Sequence, residues 1–161
     1  MATPNSLFTS GQILTASQVN NFPFGYMAGV RSTTATSTPT TSAEVSFLQS
    51  TSFTPVTNRI YRVSWAVGSF IKNAGTNNQD IYIRVGSSSG TIIDHVLYSG
   101  LAIGYYGAAA KVGYVTTAQI GTTSSTSLFM TVANNGTNSA ATFTSDANSP
   151  SLILIEDIGT A

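Results

Sequence analysis

Residues 59–71, RIYRVSWAVGSFI, alternate between apolar and polar side chains over a longer run than any other part of this chain. Tyr61, Val63, Trp65, Val67 and Ile71 fall on one side, and Arg62, Ser64 and Gly68 on the other. Successive side chains of a β-strand point to opposite faces, so a period of two marks a strand with one face buried. The apolar set is expected in the core.

The same signal recurs at short spacing on both sides of this run. Residues 45–53 read as an earlier strand, closed by a turn over 54–58 that contains Pro55 and Asn58. After a loop over 73–78, residues 80–85 alternate again, with Ile81, Ile83 and Val85 inward and Asp80, Tyr82 and Arg84 outward. A glycine-bounded turn over 86–90 leads to a strand over 91–98. Residues 100–107 read as a glycine-punctuated loop, and further strands follow over 109–117, 128–133, 141–145 and 152–156. About eight strands with turn chemistry between them, and no helix long enough to return the chain for parallel pairing, predict an all-β antiparallel β-sandwich of the jelly-roll kind. Residues 152–155, LILI, are apolar on both faces. Such a strand is either central in its sheet or covered by something else, for instance a neighbouring subunit. There is no internal repeat and no second domain.

One stretch before this region fits a helix: residues 8–25, FTSGQILTASQVNNFPFG. Thr15 is placed as an N-cap, Gln18 completes a capping box, and Leu14 and Val19 occupy the positions of a hydrophobic staple. The helix begins near Ala16 and stops before Pro23, because the residue preceding a proline is driven out of the helical region. One or two turns are marginal alone in water. Leu7, Phe8, Ile13, Leu14, Val19, Phe22 and Phe24 therefore need a surface. Burying these side chains is worth about 10 to 20 kcal/mol gross, and ordering the backbone costs a similar amount at roughly 1 to 2 kcal/mol per residue. One arm on one partner binds weakly, whereas several arms from one symmetric oligomer bind well through high effective concentration. Residues 31–42, RSTTATSTPTTS, have the composition of an extended, poorly packed link. The expected division is thus an anchoring arm and link over 1–42 and a sandwich over 43–161.

Composition narrows the possible partners. Hydrophobic residues make up 42% of the 161, enough to bury a core, but charged residues only 7%, and the formal net charge is zero. The six basic residues, Arg31, Arg59, Arg62, Lys72, Arg84 and Lys111, are scattered, so neither nucleic acid nor an anionic membrane is expected as a partner. Serine and threonine supply between a quarter and a third of the chain, which makes the polar surface one of hydroxyls and amides. A surface so short of charge is poorly protected against association. There is no cysteine, so folding in a reducing cytoplasm is allowed. The opening MATPNSLF has neither the basic start nor the apolar run of a signal peptide, and the longest apolar run, 101–110, is ended by Lys111. Synthesis in a cytoplasm is expected, with Asn135-Gly136-Thr137 an ordinary turn.

The constellations that could carry chemistry are few. Residues 86–90, GSSSG, satisfy G-x-S-x-G with Ser88 at the centre, but a nucleophile elbow joins a strand to a helix and this turn joins two strands. Asp94 and His95 are sequence neighbours on a strand and point to opposite faces, so they form no dyad. One histidine and no cysteine leave no zinc site, and Asp146, Glu156 and Asp157 read as solvated turn and strand-end carboxylates. No acidic pair stands out for glycoside hydrolysis, and no phosphate loop or dinucleotide fingerprint is present. No enzyme activity, metal or cofactor is expected. Tyr105, Tyr106 and Tyr114, beside glycines and the alanines 108–110, suit a subunit interface or a sugar-stacking face. An interface is preferred, since alanines permit close approach and supply no hydrogen-bonding groups.

Residues 8–25, together with 53–63, FTPVTNRIYRV, and 152–159, LILIEDIG, resemble small virion structural proteins of tailed bacteriophages. The likeness covers both ends and the central strand and does not extend over 91–144. It implies a virion component. The expectation that follows is a capsid decoration (cement) protein whose arm over 3–25 binds the major capsid protein, with the sandwich assembled as a homotrimer. The other expectation is a tail, fibre or baseplate component that binds a host surface glycan through tyrosines and Ser/Asn-rich loops. Either places the protein in the virion after synthesis in the bacterial cytoplasm.

Overall fold

The computed structural model describes residues 22–39, 43–74, 78–99, 101–135 and 140–161. The helix expected from Ala16 therefore lies outside the described residues. Twelve strands occur among those residues: β1 (Gly25–Ser32), β2 (Thr36–Ser37), β3 (Val45–Gln49), β4 (Arg59–Val67), β5 (Ser69–Ala74), β6 (Asn78–Val85), β7 (Ile92–Tyr98), β8 (Gly104–Tyr106), β9 (Ala109–Thr116), β10 (Leu128–Asn135), β11 (Ala140–Thr144) and β12 (Ser151–Thr160). A single helical turn, α1 (Thr117–Ile120), follows β9.

All the pairings are antiparallel. One sheet has the order β1-β12-β4-β9, a second β3-β10-β6-β7, and a third β2-β11-β5-β8. The first and third orders match strand for strand along the chain: β1 runs on to β2, β4 to β5, β8 to β9, and β11 to β12. They are the two arms of one bent sheet. Counted as eight long strands in chain order, the two layers then run 1-8-3-6 and 2-7-4-5. Strand 1 pairs with 8, 2 with 7, 3 with 6 and 4 with 5, the nested pairing of one long hairpin rolled up, which is the jelly roll.

The core lies between the layers. Tyr61, Val63, Trp65 and Val67 from β4 face Ile81 and Ile83 from β6 and Leu128, Met130 and Val132 from β10, with Ile153 and Ile155 from β12 alongside, all buried. The period-two reading holds for β4 up to Val67 and then fails. Ile71 was expected inward and is 37% exposed, while Phe70 and Lys72 are buried in its place. Gly68 is the cause. A Cβ there would sit 1.9 Å from the carbonyl oxygen of Ser149, so only glycine admits this crossing, and the strand bends at it and resumes with its alternation shifted by one. The Gly68 N–H is taken up by Ser151 Oγ at 2.9 Å.

Other differences have comparable physical reasons. Strands β1 and β2 lie within the stretch read as arm and link, so the sandwich takes in residues from Gly25 on, ahead of the expected start at 43. Strand β12 supplies β1 with a partner, Val30 opposite Ile153, and the Ser/Thr-rich β2, whose β-branched threonine tolerates an edge strand, pairs with β11, Ser37 opposite Phe143. Residues 104–106 form β8 in place of loop, because Phe70, Ile71 and Lys72 offer an open edge to pair with. The strand read over 45–53 ends at Gln49, and beyond it Phe53 makes a single bridge to Thr126. Strand β12 is central, between β1 and β4, as its two apolar faces required.

Candidate assembly surfaces

The root of the arm is held by a buried ion pair. Arg59 opens β4 on the same side as Tyr61 and Val63, so its side chain points inward, where Asp157 of β12 meets it. Arg59 Nε donates to Asp157 Oδ2 at 2.8 Å and a terminal nitrogen donates to Oδ1 at 2.5 Å, with both side chains at most 2% exposed. That terminal nitrogen also donates to the Phe22 carbonyl at 2.5 Å, and the guanidinium carbon lies 4.4 Å from the centre of the Phe24 ring. A buried charge pair is tolerated when it is bidentate and its remaining donors are used. Here one such donor is spent on the backbone leading into the arm. Asp157 is thus a buried partner, not the solvated strand-end carboxylate expected. The arginine's place in the inward register of 59–71 was the available signal. Of the arm residues, Phe22 and Phe24 sit at this root, and Leu7, Phe8, Ile13, Leu14 and Val19 lie outside the described residues.

The outward face of the sheet β1-β12-β4-β9 carries three complete cross-strand rows, and beyond them Ile60 of β4 stands opposite Thr116 of β9 with Ile158 of β12 exposed. The first row is Arg31, Leu152, Ala66 and Ala110; the second is Gly29, Leu154, Ser64 and Val112; the third is Tyr26, Glu156, Arg62 and Tyr114. Tyr26, Val112 and Tyr114 are more than half exposed. Small residues leave two shallow hollows between the large ones. One, of about 340 Å3, is lined by Tyr26, Gly29, Val30, Arg31 and 152–154. The other, of about 330 Å3, is lined by 64–66, 110–112 and Leu152. An ion pair on the face, Arg62 with Glu156 at 2.6 Å, is internally neutral.

The three tyrosines singled out in the sequence do not form one surface. Tyr105 and Tyr114 are exposed, on β8 and β9 with the bend between them. Tyr106, the neighbour of Tyr105, turns inward as strand alternation demands. Its ring stacks on Phe70 at 5.1 Å and its hydroxyl donates to the Ala102 carbonyl at 2.7 Å.

A polar cluster that sequence reasoning missed occupies the outward face of the second layer. Tyr82 of β6 and His95 of β7 are register partners, and their rings lie parallel at 4.4 Å. The Arg84 guanidinium stands 5.3 Å from the Tyr82 ring and makes a two-point ion pair with Glu44, whose Oε2 also accepts from Thr131 Oγ1. Burial raises the Glu44 carboxyl, but the hydrogen bonds from Arg84 and Thr131 outweigh it and hold the pKa below the ordinary value. Burial, then the charges of Asp80 and Glu44, push the Tyr82 phenol up. His95 Nε2 lies 2.7 Å from Asp80 Oδ1. Asp80 is outward by register, as expected, but buried under its neighbours, and its second oxygen has no hydrogen-bond partner among the described residues.

Asp94 and His95 do diverge. Asp94 accepts from the Trp65 indole at 2.8 Å and from the Lys111 ammonium, tying β7 to the opposite layer. The 86–90 turn is a hairpin connection from β6 to β7, with Gly86 at positive φ and Ser88 exposed. Among the described residues no serine or threonine hydroxyl bonds to His95, and no three His, Asp or Glu side chains are grouped to hold a metal ion. Burial pulls the Lys72 ammonium down from its ordinary value.

The fold and these surfaces define the class: an all-β jelly-roll sandwich with a clamped N-terminal root and a largely apolar outer sheet face. No protein-family model and no curated protein matches the sequence. Solved structures with a similar strand arrangement include one from Bacillus endospore appendages, described as disulfide-linked pili, at 13% identity and a TM-score of 0.42 over 88% of this chain and 94% of that one. Another is VP2 of the infectious bursal disease virus subviral particle, at 13% identity and a TM-score of 0.48 over 86% of this chain. The T13 particle of the same virus gives 12% and 0.45 over 88%. This chain spans 38% and 37% of the length of those two viral chains. These are weak likenesses of fold to viral capsid proteins and to a pilus protein.

Proposed function

We propose that this chain is a non-enzymatic structural protein of a virion, working as a capsid decoration (cement) protein. Its N-terminal arm binds the major capsid protein, and the sandwich is the body that the arm secures. The observation that carries the reading is the buried Arg59–Asp157 pair spending a donor on the Phe22 carbonyl. An arm that serves as an anchor must pass load to its body, and a bidentate charge pair inside the sandwich is a stiff place to fix it. Support also comes from the resemblance of residues 8–25 to the N-terminal segment of small tailed-phage virion proteins, and from a surface poor in charge.

The test is copy number per purified particle, measured by quantitative mass spectrometry. Hundreds of copies, and particles that lose heat stability when the protein is absent, support the cement role. Decoration-free particles as heat-stable as wild type overturn it. A handful to a few dozen copies instead favour a tail, fibre or baseplate component. Exposure of Tyr105 and Tyr114 supports that second reading, in which they would stack on a host surface glycan. Glycan binding abolished by Tyr105→Ala would select it.

A further inference from the structure

We propose that two copies of this chain pack outer face to outer face on the sheet β1-β12-β4-β9, across a two-fold axis parallel to the strands and midway between β12 and β4. The argument rests on the order of side chains in the rows and does not depend on the virion reading. Such an axis carries β1 over the partner's β9 and β12 over the partner's β4, so each row meets itself reversed. In the second row, Gly29 then faces Val112 and Leu154 faces Ser64. In the first, Leu152 faces Ala66 and the aliphatic stem of Arg31 faces Ala110. Every large side chain of these two rows falls on a small one.

The hollows agree. The one around Gly29 receives the partner's Val112, and the one around Ser64 and Ala66 receives the partner's Leu154 and Leu152. Gly29 is suited to this in particular, since a Cβ there would come within 2.7 Å of the Ile153 carbonyl oxygen, which keeps the hollow open.

The third row supplies charge complementarity. Glu156 faces the partner's Arg62, and Arg62 the partner's Glu156, so two internal pairs become one alternating array with no like charges opposed. Tyr26 faces Tyr114. A two-fold perpendicular to the strands is worse on every count, because it sets Leu152 against Glu156 and Ala66 against Arg62. Packed sheets keep their strands within about 30° of each other, which slides even the outermost strands β1 and β9 past each other by only about 4 Å, less than the spacing of about 6.6 Å between rows, so each row still meets itself.

Four strands at about 4.8 Å spacing and eight residues at about 3.3 Å give a flat area of roughly 500 Å2 per copy. Twice that is close to the lower limit of about 1,000 Å2 for a specific interface, so a dissociation constant near the micromolar range is expected. The two-fold also predicts an even-numbered assembly in place of the expected trimer.

The chain has no cysteine, so a cross-linking test is clean. Tyr26→Cys and Tyr114→Cys proteins, each full length, are oxidised separately and as an equimolar mixture at about 50 µM, a concentration set above the expected constant. The expected result is a covalent dimer in the mixture alone, because position 26 faces only position 114. Dimers from either protein by itself, or none in the mixture, overturn the proposal. Sedimentation velocity adds a second reading. Wild type should give twice the single-chain mass, and Ser64→Arg should weaken association about tenfold or more, while Leu97→Arg on the other layer leaves it unchanged. A wild-type protein that stays at single-chain mass at that concentration refutes the pairing, whatever the copy number on particles turns out to be.

Discussion

Arg59 is the residue at which removing a side chain should cost most. Truncating one partner of a buried ion pair leaves the other charge buried and uncompensated, at about 3 to 5 kcal/mol. Arg59→Ala is therefore expected to lower unfolding stability by that amount, measured from urea midpoints at unchanged slope. Asp157→Asn should cost a similar amount, because it leaves the Arg59 cation buried without a counter-charge and the amide oxygen can replace only one of the two acceptors. Glu44 offers a pH-dependent counterpart. Its carboxyl is held below the ordinary value by Arg84 and Thr131 in spite of burial. A depressed carboxyl stabilises the fold fully above the unfolded pKa and loses that contribution as pH falls through the folded one. Glu44→Gln should thus be less stable than wild type at pH 7 by about 1 to 2 kcal/mol. The gap should close as both proteins are melted at successively lower pH, from the ordinary glutamate range downward. A gap that persists unchanged into strong acid would mean that the ion pair is not its source.

At the scale of elements, the bend at Gly68 decides how one sheet becomes two arms. Gly68→Ala drives a Cβ into the backbone at Ser149, where no side chain can swing aside. The expected loss is about 3 kcal/mol, at the upper end for overpacking, to be read from thermal or chemical unfolding; Gly107→Ala, with open space at its Cβ, should be nearly neutral. The same glycine marks the limit of what the sequence made legible. Alternation locates β4 and β6 and assigns their inward faces, because a half-buried strand leaves a period of two in the residues themselves, while turn signals and apolar runs locate β7, β9, β10, β11 and β12 without assigning faces. Alternation cannot see a backbone crossing that shifts the period, and Ile71 and Lys72 exchange places for that reason. Nor does a four-residue helix leave any period. Only its cap is readable, and Thr116 with Gln119 forms the same capping box that the sequence shows at Thr15 and Gln18. Residues 36 and 37 and 104–106 carry no strand pattern of their own and are strands because a neighbour's edge is open. Of the candidate surfaces, the exposure of Tyr105 and Tyr114 and the two-sided apolar strand were legible, whereas Tyr106 turns inward onto Phe70. The Asp157 and Asp80 partners were not legible, since they are brought together from strands far apart in the chain.

At the scale of the whole molecule, the zero net charge is built from local neutrality. Four of the six carboxylates, Glu44, Asp94, Glu156 and Asp157, sit against Arg84, Lys111, Arg62 and Arg59, a fifth, Asp80, lies against His95, and the sixth, Asp146, accepts the N–H groups of its own turn. Little unbalanced charge is left to steer an encounter or to be screened. Association through the outer sheet face should therefore be nearly independent of ionic strength. Raising salt from about 0.05 to 1 M shortens the Debye length from more than 10 Å to about 3 Å and strips charge-driven contacts of most of their energy. Apolar burial is untouched by screening and is strengthened by salts excluded from protein surfaces. The cross-facing Glu156 and Arg62 replace internal pairs that each face already has, so their loss to screening is small. The dissociation constant from sedimentation is expected to change by less than about threefold across this range, whereas sulfate at matched ionic strength should tighten it. A tenfold weakening in sodium chloride would instead assign the association to Arg31, Arg62 and Glu156, and would make the leucine rows a consequence of sheet packing alone.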